Sequence, residues 1–102
     1  MTELTKTANG IKIEHTLGTA FNFTLKFDGK FKENTKVLFE ISPGGITPIV
    51  SKPFIPIGNS VDISLTDEEE NRLRVSRNHL YKLFLVSENK NACILSGNIK
   101  IK

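Results

Sequence analysis

Residues 60–73 read Ser60-Val-Asp-Ile-Ser-Leu-Thr-Asp-Glu-Glu-Glu-Asn-Arg-Leu73, and the hydrophobic period changes in the middle of them. Val61, Ile63 and Leu65 alternate with polar residues, the pattern of a strand with one buried face. At Thr66 the alternation stops. Thr66-Asp-Glu-Glu69 is a capping box: the threonine hydroxyl accepts from the amide three residues on, and Glu69 reaches back to the Thr66 amide. Asp67, Glu68 and Glu69 stand where a helix dipole favours negative charge, Arg72 and Arg74 where it favours positive charge. The stretch predicts a strand and then one short helix near residues 67–74, with Leu73 as its apolar contact. The acids lack the spacing and the turn glycine of a calcium loop.

Downstream, His79-Leu-Tyr-Lys-Leu-Phe-Leu-Val86 and Ala92-Cys-Ile-Leu-Ser-Gly-Asn-Ile-Lys-Ile101 predict two strands joined through 87–91. The first is apolar on both faces. Lys82 marks one face as outward, which assigns Tyr81, Leu83 and Leu85 to the core and leaves Leu80, Phe84 and Val86 outside. In the second, Cys93, Leu95, Gly97, Ile99 and Ile101 share one side, so Cys93 is expected to be a buried small hydrophobe. Ile94 then joins the outward set.

Upstream, Phe21, Phe23, Leu25 and Phe27 alternate with Asn22, Thr24 and Lys26, and Asp28-Gly29 follows as a turn. Val37, Phe39 and Ile41 repeat the pattern, and Ile11 and Ile13 open it. Pro48, Pro53 and Pro56 each lack a backbone donor, so residues 46–57 suit an edge strand or extended segment. Residues 1–10 form a flexible or extended lead, and 11–102 a single domain. Short strands separated by turn residues predict an all-β fold, an antiparallel β-sandwich of seven to eight strands.

Composition narrows the chemistry. The chain has 102 residues, 38% hydrophobic and 25% charged, with one cysteine and a net charge of +3. That size supports one core without a disulfide or metal, and one cysteine excludes an internal disulfide or a multi-cysteine zinc site. The amino terminus lacks the pattern of a signal peptide, and no apolar run reaches the ~20 residues of a membrane-spanning helix. The lysines are dispersed and exposed aromatics are few, which argues against a nucleic-acid interface.

His15 and His79 lack a second ligand at metal spacing and are expected as surface or strand-end structural residues. A Cys93/His79 pair has no third group to orient it. Glu14, Glu40 and Asp62 lie on separate strands facing outward, not in a shared cleft. No phosphate-cradling loop is present. These observations point to a protein that is not an enzyme and carries no cofactor. The outward apolar set Leu80, Phe84, Val86 and Ile94 is the expected partner interface, because contiguous exposed apolar surface marks such sites. The proline-rich edge 46–57 ranks second, and a closed homo-oligomer would also bury such a face.

Beyond these patterns the chain resembles the immunoglobulin-like β-sandwich modules of phage tail and baseplate proteins, such as the amino-terminal domains of baseplate upper proteins. Leu65, Thr66 and Leu73 match their helix motif, Tyr81 and Leu83 the strand after it, and Leu95, Gly97, Ile99 and Ile101 the closing strand. Val75-Ser-Arg-Asn78 stands where the family has a Pro-Gly or Ala-Gly turn. The resemblance spans residues 11–102. It implies a virion structural component made in the bacterial host cytoplasm, docking other virion proteins of a tail, baseplate or fibre. The rival expectation is a ligand-binding sandwich for nucleic acid or carbohydrate, which the lack of Trp weakens for sugars.

Overall fold

The structure is a computed structural model that describes residues 2–8, 10–29, 31–44, 47–87 and 90–102. Eight strands run in chain order: β1 (Thr2–Thr7), β2 (Gly10–His15), β3 (Asn22–Lys26), β4 (Lys36–Pro43), β5 (Val50–Phe54), β6 (Ser60–Ser64), β7 (Asn78–Ser87) and β8 (Lys90–Ile101). One short helix, α1 (Asp67–Asn71), continues into a 3₁₀ turn over Arg72–Val75. Six strands form one sheet in the order β1-β2-β8-β7-β4-β5, and β3 pairs with β6 in a second. The fold is the expected all-β sandwich. The β8-β7-β4 order opposite a β3-β6 pair is that of the G, F, C and the B, E strands of immunoglobulin-like sandwiches, with β5 in the added C′ position. One pairing departs from a purely antiparallel sandwich: β2 runs parallel to β8 over Ile13–His15 and Ile99–Ile101.

The core lies between the two sheets. Val37, Phe39, Ile41, Ile63, Leu73, Leu83 and Ile99 are completely buried, and Phe21, Val61 and Tyr81 nearly so. All but Leu73, which the 3₁₀ turn carries inward, come from alternating runs whose period-2 pattern turns every second side chain toward the core. Phe39 sits within 6.3 Å, centroid to centroid, of Phe21, Phe23 and Tyr81. The Tyr81 hydroxyl donates to the Ile11 carbonyl. Burial pushes its pKa up to about 12, against the pull of that hydrogen bond. Gly97 makes this packing possible: a β-carbon there would stand 2.6 Å from the Ile11 oxygen and 2.9 Å from the Tyr81 ring.

The capping box forms as expected, with the Glu69 amide donating to the Thr66 hydroxyl and the Thr66 amide to Glu69. Burial raises the Glu69 pKa, but the Thr66 amide and Lys52 outweigh it, and the net shift is downward. Leu73, in the 3₁₀ turn that follows the helix, carries the apolar contact of this segment into the core.

Residues 2–7, expected as a flexible or extended lead, form β1 and pair along all of β2. Their side chains are largely exposed, because β1 is an edge strand of the larger sheet. Within the 46–57 segment, β5 is the far edge of the same sheet, where Pro53 costs no ladder bond to a further strand. Its residue Ile46 lies outside the described residues, as do Gly45 of the preceding turn and Glu88 and Asn89 of the last connection.

Two expectations are corrected by one irregularity. The β7–β8 register slips between Leu83 and Phe84: Leu83 faces Leu95, whereas Phe84 faces Cys93. Ile94 is the extra residue of a β-bulge, and such an insertion inverts the alternation beyond it. Ile94 therefore packs against the core beside Leu95 rather than facing outward. Cys93, expected buried, is exposed.

Candidate docking surface

The small sheet covers one face of the large sheet and leaves the other open. On β4 the open face carries Lys36, Leu38, Glu40 and Ser42, alternating with the buried Val37, Phe39 and Ile41. On β7 it carries Leu80, Lys82, Phe84 and Val86. Register places these in rows across the strands. Pro53 faces Leu38, Leu38 faces Phe84 and Phe84 faces Cys93, a continuous row over four strands. In the next row Val86 lies between Lys36 and Asn91. Ile55, one step beyond β5, is 75% exposed.

Of the residues expected at a partner interface, Phe84 and Val86 therefore lie together, but each is half-buried rather than fully exposed. Leu80 is exposed but apart, because the polar row Ser51–Glu40–Lys82–Ser96 separates it from Phe84. Ile94 belongs to the core side. Leu38 and Pro53 complete the patch. Alternation alone would have found Leu38, opposite Val37 and Phe39, had its strand partner been known. Covering such a surface is worth about 25 cal/mol per Å² of apolar area removed from water.

At the same end of the sandwich, opposite the helix, the loop 31–36 and the segment 55–58 enclose a groove of about 480 Å³. Phe31 forms part of its wall and packs edge-on against Phe27 at 5.2 Å. The Phe31 amide donates to the Gly58 carbonyl, tying the two sides together. Ile57, beside the groove, is 78% exposed.

The histidines are strand-end structural residues, but both are buried rather than on the surface. His15 ends β2, and its Nε2 donates to Glu70 Oε2 at 2.7 Å. The Gly18 amide donates to the same oxygen at 3.2 Å. Nδ1 lies 2.9 Å from the Thr2 hydroxyl. Hydroxyl, imidazole and carboxylate in that order have the connectivity of a nucleophilic triad. His15 is fully enclosed, however, and none of the three residues lines the groove or either smaller cavity, at Gly97 and at Arg77. The network ties β1, β2 and α1 together. His79 donates from Nε2 to the Leu73 carbonyl at 2.9 Å, holding the 3₁₀ turn against β7. Cys93 pairs with Phe84, five positions along β7 from His79, or roughly 17 Å at strand spacing. The two are not a catalytic pair.

Glu14, Glu40 and Asp62 are likewise dispersed. Glu14 is bonded by Lys102, which lowers its pKa and raises that of the lysine. Glu40 accepts from Ser51, and Asp62 from Thr24. Among the described residues, no group of three His, Cys, Asp or Glu side chains is placed to hold a metal ion. Among the described residues, no helix is long and apolar enough to cross a membrane. No family model, curated protein or solved structure matches this chain.

Proposed function

We propose that the chain is a non-enzymatic docking module and a structural component of a phage particle. It is made in the host cytoplasm and joins tail, baseplate or fibre assembly through the open face of its larger sheet. The observation that carries the docking role is the row Pro53–Leu38–Phe84–Cys93 with Val86 beside it, apolar side chains on a sheet face that the small sheet does not cover. A partner that excludes water there gains hydrophobic stabilisation in proportion to the area covered. The assignment to a phage particle is supported by the resemblance of residues 11–102 to baseplate modules.

The test is mass spectrometry of particles purified from the phage that encodes the chain. The chain is expected in fixed proportion to the other tail proteins. Its absence from particles would exclude a virion role.

A further inference from the structure

We infer that the groove between residues 31–36 and 55–58 seats an acidic segment of the docking partner that carries a bulky apolar side chain. This rests on the docking reading above and names the chemistry of what docks. Four observations converge on the groove. Ile55 and Ile57, 75% and 78% exposed, are the most exposed large apolar residues described, and they flank it. Phe31, Ile55, Pro56 and Gly58 supply an apolar wall. Lys32 and Lys36 also line it, with Glu33 as the one acid. Among the described residues, neither lysine has an acidic side chain within ion-pair distance, a state they share with other surface lysines such as Lys26 and Lys82.

The groove is continuous with the open face, since Lys36 pairs with Val86 there. A ligand crossing from one to the other meets apolar surface interrupted by positive charge. Glutamate or aspartate flanking a leucine or phenylalanine complements both features, and such complementarity steers encounter as well as selecting the partner. The same charges disfavour a second copy of this chain. A two-fold contact places the same patch on both sides, bringing two clusters with a net positive charge (Lys32 and Lys36 against Glu33) together. The walls are preorganised, because Pro53 and Pro56 restrict the backbone beside Ile55 and the Phe31–Gly58 hydrogen bond links the sides.

Two synthetic peptides of about ten residues test this, one with leucine and phenylalanine flanked by glutamates and one with the same core flanked by lysines. Each is titrated into the full chain while amide resonances are followed by NMR. The acidic peptide should give saturable shifts at residues 31–36 and 55–58. Its affinity should exceed that of the basic peptide by about tenfold or more and weaken as salt rises. The Lys32→Glu/Lys36→Glu variant should lose that preference while keeping its melting temperature. Equal response to both peptides, or no saturable shift at the groove, overturns the inference. If this variant enters particles normally while Phe84→Asp does not, the docking face stands and the acidic occupant is wrong. If Phe84→Asp also enters normally, the docking face itself is wrong.

Discussion

His15 and Glu70 stand 55 positions apart in the chain, yet Nε2 and Oε2 lie 2.7 Å apart in a buried pair. The contact joins the end of β2 to α1, and the Gly18 amide shares the carboxylate. Removing the carboxylate leaves the imidazole and that amide without their acceptor. Glu70→Ala should therefore cost about 2–4 kcal/mol of unfolding free energy. Urea unfolding of both proteins measures this, and a loss below about 0.5 kcal/mol would mean the pair contributes little.

Gly97 is a second point of close approach. A methyl group there would meet the Ile11 carbonyl and the Tyr81 ring below van der Waals distance. Gly97→Ala should destabilise by about 1–3 kcal/mol through overpacking. Thermal unfolding checks it, and an unchanged midpoint would show that the β2–β8 gap is wider than described.

The Tyr81 phenol resists ionisation up to about pH 12 because it is buried. A pKa raised on folding stabilises below the unfolded value near 10 and loses that contribution as pH climbs through the folded value. Stability should fall between about pH 10 and 12, and the Tyr81→Phe variant should lack this component. Denaturant titrations of both proteins across that window decide the point.

Cys93 should react with a thiol reagent in the folded protein, since it is exposed opposite Phe84. The expected rate is that of an accessible thiol, independent of added stabilising salt. Labelling that waits for global unfolding would place Cys93 back inside and remove the bulge.

The strands whose faces differ in polarity were legible from sequence. Phe21 to Phe27 and Val61 to Leu65 each alternate apolar with polar residues, Val37 to Ile41 does so apart from Leu38, and Thr66–Glu69 announces the helix by its own local hydrogen bonds. Ala92-Cys-Ile-Leu95 is different. It is apolar or small in either phase, so nothing in it signals that Ile94 is an extra residue, and simple alternation puts Cys93 and Ile94 on the wrong faces. The run Thr2–Thr7 carries no strand signal either, because its side chains are mostly polar and exposed and no apolar alternation marks it. The His15–Glu70 contact depends on the topology that brings the end of β2 to α1. On the open face, the outward placement of Phe84 and Val86 follows from alternation with Lys82, but their meeting with Leu38 and Pro53 depends on the β5-β4-β7 pairing.

The most direct test of docking through the open face compares two aspartate substitutions on the same strand. Phe84→Asp lies within the apolar row, whereas Leu80→Asp lies beyond Glu40 and Lys82. Both positions point away from the core, so both variants should keep the wild-type melting temperature within a few degrees, about what a change of 1 kcal/mol produces. Incorporation of each into particles, measured against wild type, should be lost for Phe84→Asp and retained for Leu80→Asp. Normal incorporation of a folded Phe84→Asp protein would contradict the account.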